Sequence, residues 1–223
     1  MKINEKTFDM VILAMFTAII AILTFLPIGF IPLGFMNATT VHIPVIIGSL
    51  MLGAKSGAFL GFTFGLASFI TNSFIRPGVV SFVFTPFVDL PGQESGSWLA
   101  LIIVFVPRIL VGITPWYVCQ GLKKLFSERR MPLNWAISGV VGSMTNTILV
   151  MGMIYVFFGN EWNSVQREPA EVVLTAIAGI IAVNGVIEAI IASIIVTAVV
   201  SALTAAFKPG RTNSPFDSAL GKL

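Results

Sequence analysis

Arg108, Asn146, Asn184 and Glu188 each stand near the middle of a long apolar segment. Arg108 lies about ten residues into its segment, roughly 15 Å along a helix rising 1.5 Å per residue. Asn146 is flanked by Thr145 and Thr147, while Asn184 and Glu188 are one helical turn apart and share a face. An ionisable group at that depth in hydrocarbon is costly unless it faces the protein interior, a partner or water. Three consecutive helices therefore aim polar groups at a common interior. A guanidinium can pair a carboxylate bidentately, and carboxamides both donate and accept hydrogen bonds. Such a set can hold a small anionic ligand. It can equally be an Arg108–Glu188 ion pair locking two helices together, and an anionic ligand can share Arg108 with Glu188.

Other chemistries lack their residues. His42 is the only histidine and Cys119 the only cysteine, so there is no CxxC and no His/Cys cluster for zinc or redox work. The chain contains no GxxxxGK[ST] to cradle ATP phosphates, no HExxH and no GxSxG. No enzyme activity, cofactor or metal is expected. Any energised transport would draw its energy from another chain.

The elements that position these residues are membrane helices. Of 223 residues, 56% are hydrophobic and 10% charged, too apolar a balance for a water-covered domain. The expected fold is all-α and integral to the membrane, a single domain over residues 1–223. It is a six-transmembrane-helix bundle with spans near 8–26, 40–52, 57–74, 98–122, 134–158 and 171–207. The last span exceeds one bilayer and is expected to tilt or project. Lys2 and Lys6 precede the first apolar run as in a secretory leader, but no small-x-small site follows it, so it reads as a span. With the N-terminus inside, Lys2, Lys6, Lys55, Lys123, Lys124, Arg129, Arg130, Lys208, Arg211 and Lys222 all fall on the cytoplasmic side. The outer loops keep only Arg76 and Arg167. Both termini are then cytoplasmic, and the net charge of +3 reads as topology rather than affinity for nucleic acid.

Two patterns of small residues punctuate the spans. Gly53, Gly57, Gly61 and Gly65 repeat every fourth residue, which lets another helix approach to backbone contact, chiefly within the bundle. Ala14 and Ala18 form an AxxxA in span 1, extended by Ala21. The segments Ile28–Thr39 and Ile75–Ser97 are rich in Gly, Pro and Phe. An apolar loop at a membrane face rests in the headgroups, or packs on the bundle or on a ligand it covers.

Six short spans, cytoplasmic termini, the span 1 AxxxA and the stretch IPLGFMNATTVHIPVIIGSLMLGAKSGAFLGFTFGLASF (Ile31–Phe69) resemble the substrate-binding S components of energy-coupling factor (ECF) vitamin transporters. The wording of that block and of SFVFTPF (Ser81–Phe87) is most similar to the pantothenate-type members. The resemblance implies a bacterial, multi-pass cell-membrane protein binding a vitamin with high affinity on its outer side. The ligand would lie under the loops joining spans 1–2 and 3–4. Arg108, Asn146, Asn184, Glu188, Asn37, Thr40 and Phe84 are its expected contacts. The resemblance also implies that Ala14, Ala18 and Ala21 dock on a membrane scaffold (T) subunit carrying two ATPases. Another B vitamin or precursor, such as hydroxymethylpyrimidine, thiamine or folate, is an alternative ligand. A self-sufficient secondary transporter or channel is the alternative of another class.

Overall fold

The structure is a computed structural model that describes residues 5–26, 30–32, 37–126, 130–166 and 173–206. Helix α1 (Glu5–Phe25) leads to a short antiparallel ribbon, β1 (Phe30–Pro32) with β2 (Asn37–Thr39), in which Phe30 pairs with Thr39 and Pro32 with Asn37. Helices α2 (His42–Leu52), α3 (Ala54–Ile70), α4 (Leu99–Leu125) and α5 (Met131–Gln166) follow, then α6 (Val173–Ile180) and α7 (Val186–Ala206). Among the described residues the ribbon is the only strand pair in an otherwise helical architecture. Near a bilayer a connection has little water to bond its backbone, and a ladder satisfies those groups internally. Of the expected lid Ile28–Thr39, residues 28–29 and 33–36 lie outside the described residues.

Among the described residues, five helical stretches are long and apolar enough to cross a membrane: Lys6–Phe25, Ala54–Ile75, Leu99–Leu125, Met131–Trp162 and Ala178–Ala206. The sixth apolar helix, α2, has only 11 residues and sits in the centre. Every residue from His42 to Met51 is buried, against α1, α3, α4, α5 and α7. A helix apolar all round is a core helix, and HIPVIIGSLML is that.

The glycine repeat joins α3 to α4. A Cβ on Gly57 would overlap the Gly112 carbonyl, one on Gly61 the Arg108 carbonyl, and one on Gly65 would come within 2.8 Å of the Val104 carbonyl. The stripe is internal packing, as the sequence suggested. Lipid tails supply no hydrophobic force between helices, so this close van der Waals contact is what holds the pair.

Three helices are irregular. Helix α3 runs into a π-helical turn at Thr71–Ile75, and a second, Ile181–Gly185, separates α6 from α7 and carries Asn184. Helix α5 leaves helical geometry at Phe158 (φ −137°, ψ 24°). Such π turns are frequent at functional sites.

Candidate functional site

Arg108 is buried, and its position is fixed by its neighbour in sequence. Pro107 lies inside α4 and has no N–H, so the carbonyl of Ile103, four residues back, loses its helical donor. Arg108 supplies one instead, its Nη1 donating to the Ile103 carbonyl at 2.8 Å. The side chain therefore runs toward the N-terminal end of α4, the end that carries the 76–97 connection. There the guanidinium lies between two rings, its Cζ 5.5 Å from the centroid of Phe64 and 5.1 Å from that of Phe84. Its Nε is buried with no partner. A buried cation with a spare donor, faced by two aromatic π-surfaces, has the chemistry to accept an anion.

Helix α2 starts near this guanidinium. Gly48 sits against Leu60 and Ser49 against Gly57, a register that brings His42 level with Phe64 and hence with the Arg108 guanidinium. The N-terminal end of α2 thus lies at the same depth in the bundle, with the Ile43 N–H bonded to the Thr40 carbonyl and Pro44 offering none.

The loop Ile75–Ser97 closes this end of the bundle. Ser81, Phe82 and Val83 form a buried 3₁₀ turn, and Phe82 meets Phe158 of α5 edge-on at 5.9 Å between centroids. Ser81 Oγ donates to Asn72 Oδ1 (2.9 Å) and accepts from the Gly78 N–H (2.8 Å). Ser73 and Thr85 share a hydroxyl contact at 2.7 Å, and Thr85 Oγ1 accepts from the Phe87 N–H at 3.2 Å. The loop packs on the bundle rather than resting beside it.

The remaining expected residues form a separate layer. Thr114 bonds Thr145 at 3.4 Å and Gly142 lies against Pro115, which sets Asn146 level with residue 113 of α4. Asn146 is therefore about five residues, or roughly 7.5 Å, farther from the loop end than the Arg108 backbone. Glu188 is buried, and Thr147 Oγ1 donates to its Oε2 at 3.2 Å. Asn146 is buried with Oδ1 unpartnered. Half-buried Asn184, on the π turn, stands one turn nearer the loop end than Glu188. Among the described residues Arg108 has no carboxylate partner, so the Arg108–Glu188 ion pair is not formed. Pro107 directs the guanidinium away from that layer.

Thr40 is half-buried at the entry to α2, its carbonyl accepting from the Ile43 N–H at 3.0 Å. Asn37 lies in β2, and its side chain is outside the described residues. Ala14 and Ala18 are exposed on α1 and, with Ala21, Thr17 and Phe59 of α3, line an open apolar groove of about 430 Å³. Sequence reasoning missed Phe64 and Pro107. An apolar residue in an apolar helix carries no signal, but the Pro–Arg pair did: a carbonyl freed of its donor beside a cation is legible in sequence.

The family model described as "ECF transporter, substrate-specific component" matches residues 8–200. The pantothenic acid transporter PanT of Lactococcus lactis subsp. cremoris is 40% identical over 160 residues, covering 70% of this chain and 77% of that one. The pantothenate transporter PanT of Leuconostoc mesenteroides subsp. mesenteroides is 29% identical over 195 residues, covering 84% of this chain and 87% of its own. With its apolar helices, this multi-pass cell-membrane protein belongs to the family of substrate-specific components of ECF transporters.

Proposed function

We propose that the chain is the high-affinity pantothenate-binding subunit of an ATP-driven ECF importer, oriented with its 76–97 loop outside and both termini in the cytoplasm. The observation that carries this reading is the buried Arg108 guanidinium, held by Ile103, faced by Phe64 and Phe84 and retaining an unpartnered Nε. Pantothenate offers one carboxylate for it, and a planar fork binds a carboxylate better than an ammonium does. The amide and hydroxyls then extend inward, toward Asn184 and the open acceptor of Asn146, with Glu188 beyond. Phe84 covers the bound molecule from the loop, Thr40 from the entry to α2, and Asn37 belongs to the adjoining strand. The two relatives named for pantothenate transport support the choice of vitamin.

Energy comes from partners on this reading. Ala14, Ala18 and Ala21 present a small-residue face to the outside of the bundle, suited to close approach of a helix from a scaffold subunit that carries two ATPases. Titration calorimetry of the purified protein tests the ligand. Pantothenate should bind, and its alcohol analogue, with CH₂OH in place of the carboxylate, should bind at least about a hundredfold more weakly, as expected when a buried charge loses its partner. Equal affinity for the two would overturn the assignment of the carboxylate to Arg108.

A further inference from the structure

Arg76 stands just past the π turn that ends α3, and it reaches another helix. Its Nη2 donates to the carbonyls of Thr24 and Phe25, each at 3.1 Å. These belong to the last turn of α1, where carbonyls have no intrahelical donor and a cation is favoured by the helix dipole. The segment around Arg76 is stitched into one unit by the Asn72–Ser81, Ser81–Gly78 and Ser73–Thr85 bonds. Phe84 sits between Ser81 and Thr85 and lies over the Arg108 guanidinium. A continuous set of contacts therefore runs from the end of α1, through Arg76 and the hydroxyl-bonded loop, to the ring covering the buried cation.

We propose that Arg76 is a positioning residue that ties the loop carrying Phe84 to the end of α1, so that the cover over Arg108 opens and closes in step with that helix. The inference rests on the ligand site proposed above and adds to it a mechanical link. α1 presents its small-residue groove to the outside of the bundle and holds the loop by its far end. A shift of α1 is then transmitted to the site without any contact between α1 and the ligand.

The test is a double-mutant cycle on the full-length purified protein, with pantothenate as the probe and its dissociation followed by stopped flow. Arg76→Gln removes the charge that serves both carbonyls. It should speed dissociation about ten- to a hundredfold, the scale of one charge-assisted hydrogen bond, and leave association within about twofold, since a cover chiefly governs escape. Because Arg76 acts through Phe84, adding Arg76→Gln to Phe84→Ala should change dissociation by less than about twofold. A wild-type dissociation rate for Arg76→Gln, or an undiminished effect in the Phe84→Ala background, overturns the proposal. If Arg76→Gln does not fold, Arg76→Lys, which keeps the charge but loses the planar fork, is carried through the same cycle with the same criteria. If the wild-type protein does not bind pantothenate, the ligand assignment fails, and hydrogen exchange of the ligand-free protein decides the link. Arg76→Gln should then raise exchange across Ser81–Phe87 and not in the middle of α4, and unchanged exchange across Ser81–Phe87 overturns it.

Discussion

At the scale of single residues, the proposed site depends on a proline beside an arginine. Arg108→Ala should abolish pantothenate binding, and Arg108→Lys should weaken it by losing the planar fork. An unchanged affinity by calorimetry for Arg108→Ala would remove Arg108 from the site. Pro107→Ala gives a subtler outcome. The new N–H returns a helical donor to the Ile103 carbonyl, which then competes with Arg108 Nη1 for that oxygen. The helix should become no less stable, and ligand affinity should fall about three- to tenfold, the scale of one neutral hydrogen bond. Thermal melting alongside calorimetry separates these effects, and a drop in both would mean that Pro107 serves packing instead.

At the scale of elements, the loop Ile75–Ser97 and the α3–α4 contact make opposite predictions. The loop is joined to the bundle by hydroxyl bonds, the Phe82–Phe158 edge contact and the burial of Phe82, Val83 and Leu90, and on the proposed reading it loosens when ligand enters and leaves. Hydrogen exchange across Ser81–Phe87 should slow on saturation with pantothenate. Equal protection with and without ligand would count against a cover. The α3–α4 contact has no such latitude. Gly61→Ala would drive a methyl into the Arg108 carbonyl, and overpacking of this kind costs about 1–3 kcal/mol, visible as a lowered melting temperature in detergent. The glycine spacing was legible because a four-residue repeat on a helix is a face. The π turns were not, since one extra residue per turn leaves no compositional mark, and the final helical stretch runs on through the one at Ile181–Gly185. The four central polar residues were legible as interior groups, because their depth in apolar segments forbids lipid contact. Their division into two layers was not, because it depends on helix register and on where Pro107 sends its neighbour. The loop's hydroxyl bonds join residues up to 12 apart, beyond what periodicity can report.

At the scale of the whole molecule, the exposed alanine face on α1 and the buried guanidinium belong to different surfaces. Ala14→Trp with Ala18→Trp should leave pantothenate binding by the isolated protein nearly intact while abolishing uptake in cells and assembly with a scaffold subunit. Normal uptake by the double mutant would show the groove to be idle. The short central helix has its own consequence, for biogenesis. At 11 residues α2 is about 16 Å long, roughly half the hydrocarbon thickness, so it cannot span the bilayer by itself, and a nascent chain ending after α3 offers only α1 and α3 to cover it. A single residue, Gly53 at φ 90°, joins it to α3, and its remaining neighbours α4, α5 and α7 are synthesised later. The helix at the heart of the finished protein is thus inserted provisionally and enclosed last. In a Cys119→Ala background, a cysteine at position 43 should react with a water-soluble thiol reagent in chains truncated after α3 and be shielded once α7 has been made.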